Sequence, residues 1–183
     1  MQRELVERAM AGDRDAFTEL QRATIDKLYG IARLILRDGD RAQDATQEAY
    51  IAAWRRLSGL RDPDKFEPWL RRLLVNACYQ ERRSATRRAR VEGMVRLIDT
   101  GTLDHATQSA DRDELARAFD TLEPEQRALI VLHYHLGLPM DQTALILGLP
   151  VGTVKSRLHR SKQQMRATLE ANARLPLTVG GAP

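Results

Sequence analysis

One cysteine, Cys78, stands in a chain of 183 residues, so no intrachain disulfide can staple the fold, and a reducing compartment is the natural setting. No apolar run approaches the roughly 20 residues that span a bilayer. The N-terminal residues Met1–Arg8 are amphipathic and lack the apolar core of a signal peptide. The expectation is a soluble, cytoplasmic protein with no membrane insertion. Strand-like alternation of Val and Thr is missing, as are internal repeats. Catalytic signatures are missing too: there is no phosphate loop, no GxGxxG and no HExxH. Of the four histidines, His133 and His135 lie two apart; on a helix they diverge by about 200° and cannot readily share a metal. Cys78 sits among apolar neighbours with no histidine nearby in sequence to activate it. Asp62 and Asp64 share a loop, where paired acids are ordinarily just solvated. No catalytic residue, metal or cofactor is therefore expected.

What the chain does have is helical periodicity and a surplus of cations. The formal charge of +4 suits a polyanionic partner without deciding for one; its distribution is more telling. In Leu138–Arg160, Pro139 can open a short helix and Gly148 can end it in the left-handed conformation. Pro150 then starts a second helix. Val151, Val154, Leu158 and Met165 form an apolar stripe on that helix. Thr153, Lys155, Ser156, Arg157 and Arg160 occupy the opposite side. From Val151 to Glu170 there are five Lys/Arg against one acid. A helix with one apolar stripe and one hydroxylic, cationic face suits the DNA major groove. An αα-hairpin with a merely solvated face is the plainer reading, and the cation surplus favours DNA. The pair reads as a helix-turn-helix.

The rest of the chain reads as helix after helix. Residues 2–11 form the first, and Asp15 is a plausible cap for the second, which carries Phe17, Leu20, Ile25, Leu28, Ile31, Ala32, Ile35 and Leu36. A turn at Asp38–Asp40 ends it. In Arg41–Leu57, Ala42, Ala45, Ala49, Ala53 and Leu57 make a core face that Tyr50 and Trp54 widen. Asp44, Gln47 and Glu48 share the other side at i, i+3 and i+4. They could dock a basic partner helix, but spacing alone favours an ordinary solvated face. After the loop Ser58–Lys65, a helix from Phe66 to about Arg83 places Arg72, Asn76, Tyr79 and Arg83 on one stripe. Cations, an amide and an aromatic are the set used on phosphates and unstacked bases. From Phe66 to Arg90 there are seven Arg against two Glu; a solvated basic face remains the alternative. From Ser84 to Ala110 the apolar pattern thins into a linker with one short helix around Val91–Ile98. Order resumes through Leu115, Ala118, Phe119 and Leu122. Pro124 opens a helix bearing Leu129, Ile130, Leu132 and Leu136 that ends at Gly137. The tail after Glu170 is expected to fray. The fold class is all-α: two small helical domains on a flexible linker, the second a helix-turn-helix. The divisions fall at 1–84, 85–110, 111–172 and 173–183.

These motifs resemble the extracytoplasmic-function (ECF) sigma factors, the compact branch of the bacterial sigma-70 family. Val151–Leu158 looks like the family's promoter-reading helix and is its most specific signal. Asp40–Tyr50 with Ala53–Arg55 resembles its polymerase-docking helix, and Phe66–Arg83 its segment for the upstream edge of the transcription bubble. The resemblance implies an alternative sigma factor that binds core RNA polymerase through its β′ clamp and β subunits. Asp44, Gln47 and Glu48 would meet the clamp, against the reading from spacing. It further implies promoter DNA as partner: Asp62, Lys65, Arg72, Asn76, Tyr79 and Arg83 at the −10 element, where a base is flipped out at a cost of a few kcal/mol, and Thr153, Lys155, Ser156, Arg157 and Arg160 at the −35 element. An anti-sigma factor is a further implied partner. Gln80, Met140 and Thr143 depart from the family pattern, which bears on promoter preference rather than on class. A free-standing helix-turn-helix regulator is the alternative; an adaptor that never touches DNA is a third class.

Overall fold

A computed structural model of the chain describes residues 2–91 and 110–173. The expected linker helix around Val91–Ile98 and the expected tail lie almost wholly outside them. Among the described residues every regular element is helical. The order is α1 (Gln2–Met10), α2 (Arg14–Leu36), α3 (Gly39–Arg56), α4 (Phe66–Val91), α5 (Ala110–Asp120), α6 (Pro124–Ile130), α7 (Met140–Leu147) and α8 (Val151–Ala173). Short 3-10 turns, Leu57–Gly59 and Pro63–Lys65, bridge α3 and α4, and a wider π turn, Val131–His135, continues α6.

Local chemistry sets the helix ends. Asp13, rather than the expected Asp15, caps α2: its carboxylate accepts from the backbone N–H groups of Asp15 and Ala16, both at 3.0 Å. Arg8 donates to the same carboxylate from α1 at 2.7 Å. The Ala16 N–H and the Arg8 guanidinium together hold the Asp13 carboxyl below its usual range. Asp38 repeats the device for α3, accepting from the Arg41 N–H at 3.0 Å. Between α2 and α3 the chain turns through Arg37, at φ 58° the described non-glycine residue in the left-handed region. Helix α4 runs to Val91, two turns past the expected end near Arg83. Residues 84–91 hold no Gly or Pro and are rich in Ala and Arg, so the helix persists after its apolar stripe has left the core.

The core of the first half lies where α2, α3 and α4 meet under α1. Leu20, Leu28, Ile31 and Ile35 of α2 face Ala42, Ala45, Ala49 and Ala53 of α3 and Leu70, Leu74, Ala77 and Cys78 of α4. The alanine stripe lets α3 approach closely, so no large side chain is needed there. Tyr50 is buried and shares a 2.7 Å hydrogen bond with the Thr24 hydroxyl. Trp54, expected beside it, is 38% exposed and rests its ring against Phe17 instead. Ile25, expected to face the core, is as exposed as Trp54.

The second half has a smaller centre of its own: Leu129, Ala144, Val154 and Leu158. Val151, expected in that stripe, is 39% exposed at the first turn of α8, and Ser161 is buried in its place. Its hydroxyl donates to the Arg157 carbonyl at 3.0 Å, which makes the burial affordable. Four further apolar residues, Ala128, Val131, Leu132 and Ile146, belong to the core of the first half. The two halves are packed on each other, α4 against α6 and α7, and α2 against α6.

Candidate nucleic-acid interface

Three surfaces carry the residues singled out by the sequence. On α8, Val154 and Leu158 are buried while Lys155, Ser156, Arg157 and Arg160 are exposed and Thr153 is half-buried at the edge of the same face. The turn before α8 is built as expected. Gly148 takes φ 66° and its N–H reaches back to the carbonyls of Ala144 and Leu145, closing α7. Thr143, one of the departures from the pattern, is fully buried and its hydroxyl donates to the Pro139 carbonyl at 3.0 Å. It therefore holds up the turn from inside and lies off the exposed face of Lys155, Arg157 and Arg160. Leu145 is 59% exposed on α7.

On α3, Asp44, Gln47 and Glu48 are all exposed. They form one wall of an open groove whose other wall is Gln80, Arg83, Ser84 and Arg87 of α4. Sequence spacing shows that the three acceptors share a side. It gives no sign that a basic stretch of α4 runs alongside them, since that depends on the helix crossing. Gln80, another departure, lies on this groove rather than in the core.

The third surface runs along α4 and the turn before it. Asp62, Lys65, Arg72, Asn76 and Arg83 are exposed and Tyr79 is half-buried. Asp62 caps the short Pro63–Lys65 turn, accepting from the Asp64 N–H at 3.0 Å, so its carboxylate is committed to loop shape. The chain also ties this loop to α1: Arg3 donates to Asp64 at 2.7 Å. Arg72 and Tyr79 look toward the second half. A Cβ placed on Gly148 would lie 3.6 Å from Arg72 Nη2. Burial first, then the nearby Glu125 carboxylate, pushes the Tyr79 phenol far above its usual range, while Arg157 pulls it back. The residues expected at two different DNA elements thus approach one another.

Residues that sequence reasoning did not single out hold the halves in that position. Arg37 Nη2 donates to Asp120 Oδ2 at 3.0 Å, and Arg37 Nε lies 2.5 Å from Asp120 Oδ1. Arg82 of α4 pairs with Glu123 and, at 2.5 Å, with Glu125. Arg127 of α6 is 9% exposed and its Nε has no hydrogen-bond acceptor. Burial draws its guanidinium below the usual value, and Asp120 partly restores it. No spacing rule could have paired Arg37 with Asp120, which are 83 residues apart.

Among the described residues no group of three or more His, Cys, Asp or Glu is placed to hold a metal ion, and no helix is long and apolar enough to cross a membrane.

Comparison with known proteins agrees with this geometry. Residues 20–88 match the family described as Sigma-70 region 2, and residues 112–165 match Sigma-70, region 4. The chain is 35% identical over 167 residues to the ECF RNA polymerase sigma factor SigM of Mycobacterium tuberculosis, covering 91% of this chain and 83% of that protein. It is 33% identical over 155 residues to the RNA polymerase sigma-E factor of Streptomyces avermitilis, covering 85% and 86%. Among solved structures, CnrH in complex with the cytosolic domain of CnrY aligns with TM-score 0.63 at 27% identity, over 93% of this chain and 98% of that one. The sigma factor RpoE of Bartonella quintana, in complex with the anti-sigma factor NepR, shares the fold with TM-score 0.71 at 23% identity, over 85% and 98%.

Proposed function

The chain belongs to the extracytoplasmic-function branch of the sigma-70 family, and on that premise we propose how its surfaces divide the work of a sigma factor. It binds core RNA polymerase and directs initiation at a chosen set of promoters, acting in the cytoplasm and leaving the chemistry of synthesis to the polymerase. Residues 1–84 dock on polymerase and handle the −10 element, residues 111–172 read the −35 element, and residues 85–110 connect them.

The observation that carries this reading is the segregation on α8, where Val154 and Leu158 are buried and Lys155, Ser156, Arg157 and Arg160 stand free. That leaves one continuous hydroxyl-and-cation face for the major groove, with Thr153 at its edge. Asp44, Gln47 and Glu48 are the docking face for the polymerase clamp, their acceptors exposed on one side of α3. At −10, Arg72, Asn76, Tyr79 and Arg83 with Asp62 and Lys65 receive the opened strand. Cations offset the phosphate charge, and the phenol ring offers a stacking surface. The RpoE neighbour was solved with an anti-sigma factor bound, and an inhibitor of that class is a fitting partner here.

Run-off transcription with purified core polymerase and a pool of promoter fragments tests the proposal. Selective transcripts should appear only with the protein and vanish with the D44A/E48A double variant. Arg157→Ala should weaken −35 binding by about 1–3 kcal/mol if its guanidinium contacts a base edge. Transcription independent of the protein, with specific binding to duplex by the protein alone, would overturn the reading.

A further inference from the structure

From Ser58 to Glu67, the stretch assigned to the −10 element, there are three acids, Asp62, Asp64 and Glu67, against two cations, Arg61 and Lys65. A surface that receives a polyanion gains nothing from an acidic excess. The structure silences each acid in turn. Asp62 accepts from the Asp64 N–H at 3.0 Å. Glu67 accepts from Arg71 at 2.5 Å and from the Gln2 amide at 3.2 Å. Asp64 accepts from Arg3 Nη1 at 2.7 Å. Arg61 and Lys65 are exposed, and among the described residues neither pairs with a carboxylate. Two of the silencing groups, Gln2 and Arg3, come from α1. That helix is firmly seated: Val6 and Ala9 are buried in the core of the first half, and α1 packs against both 3-10 turns. One turn on from Arg3, Glu7 accepts from its Nε at 2.9 Å and steadies the guanidinium. The Glu7 bond first, and then Asp64, raise that guanidinium above its usual value, and Asp62 adds to the effect. Both partners of the Arg3–Asp64 pair are more than half exposed, and exposed pairs contribute little to stability. The Asp62 cap already sets the shape of the turn. What Arg3 adds is charge.

We propose that Arg3 is a positioning residue for −10 recognition: it occupies the Asp64 carboxylate, so that Lys65 and Arg61 stay free for the phosphates of the opened strand. This rests on the assignment of the Pro63–Lys65 turn and its flanks to the −10 element. Lys65 follows Asp64 directly in the chain, and Arg61 stands three residues before it. With Arg3 removed, the Asp64 carboxylate either captures one of those cations or faces the strand unpaired. In both cases the loop loses attraction for phosphate, through a Coulomb interaction that salt screens. Helix α1 thereby serves −10 reading through Asp64 rather than through a contact of its own with DNA.

The test uses the full chain with core polymerase, on a promoter fragment that the native chain transcribes from the pool. Arg3→Gln removes the charge and should lower run-off transcription about fivefold, the effect of one charge contact at about 4 Å in water. The deficit should shrink as salt rises from about 0.05 to 0.2 M. Arg3→Lys keeps the charge and should stay close to native. Asp64→Asn still offers Arg3 an acceptor, and it should remain within about twofold of native. The decisive variant is R3Q/D64N, which has neither the cation nor the acid it silences; it should recover to the level of D64N alone. Binding of a −35 duplex by the free chain, read by fluorescence anisotropy, should be equal in all five proteins. Native-level transcription by R3Q would overturn the proposal. So would a double variant as weak as R3Q, which would make Arg3 a structural tie, or a loss of −35 binding in R3Q, which would make it a residue of the general fold. A native chain that drives no transcription from any fragment would instead overturn the sigma-factor reading on which the proposal stands.

Discussion

The two halves hold themselves together in different ways. In the first, α2, α3 and α4 enclose a broad core of leucine, isoleucine and alanine, which also takes in Phe66, Val75 and Cys78 of α4. In the second, four residues, Leu129, Ala144, Val154 and Leu158, make the private core, and several of its other apolar side chains lean on the first half. A four-helix unit with so small a core has little area to bury by itself and is correspondingly marginal. The lesson is that the reading module is built to be held by something larger. In this chain that support is the first half.

The strongest way to break this contrast is to open each core. Leu74 is fully buried in the first half, and Leu74→Ala should cost about 3–5 kcal/mol in denaturant unfolding and lower the whole transition. Leu158→Ala, in the small core, should cost about 2–3 kcal/mol. Hydrogen exchange should show that loss first in α7 and α8, with α2–α4 still protected. Equal loss of protection in both halves would mean that they unfold as one body.

Cys78 sharpens the comparison as a built-in reporter of the first half. Burial pushes its thiol up to about 12, which disfavours the thiolate, and the side chain is wholly enclosed. A disulfide reagent at pH 7.4 should therefore modify it far more slowly in the native chain than in denaturant, at a rate set by opening of the core. A Leu158→Ala variant should leave the rate low, whereas Leu74→Ala should raise it.

The smallest effect concerns helix starts. Helices α2 and α3 begin at side-chain caps, Asp13 and Asp38, while α7 begins at Pro139 with no side-chain cap bond. Asp38→Ala should cost the first half about 1 kcal/mol. Asp13 adds a pH signature, because its carboxyl is held below the ordinary range in the folded state. The stability it contributes is present above the unfolded carboxylate value and is lost as pH falls through the lowered folded value. Thermal melts at decreasing pH should show α2 loosening in that window, and Asp13→Asn should flatten the slope.

Much of this protein was legible in its order of residues. The left-handed Gly148, the prolines at 139 and 150 and the apolar spacing of Val154 and Leu158 specify a helix-turn-helix, because each acts within a turn or two of chain. The exposed cations of α8 and the acceptors of α3 follow from the same periodicity. Errors came where a local pattern met a distant neighbour. Trp54 and Ile25 fit the apolar stripes of their helices and still reach solvent, each 38% exposed, because which flank of a stripe is covered depends on how the neighbouring helices cross. Val151 fits its stripe and lies past the edge of the packed surface. The basic wall that α4 sets beside Asp44, Gln47 and Glu48 is a product of helix crossing, and no spacing along either helix encodes it.

What the sequence by itself determined is therefore the inventory: all-α elements, their breaks, and which side of each helix is apolar, charged or hydroxylic. These depend on backbone geometry repeated every 3.6 residues, which a linear string carries in full. What only the tertiary structure decided is the pairing of surfaces. Arg37 meets Asp120, Arg82 meets Glu123 and Glu125, and Tyr79 of α4 is half-buried near Glu125 and Arg157. Burial of apolar area draws the halves together without direction, and the charges that then match across the contact lie dozens of residues apart in the chain.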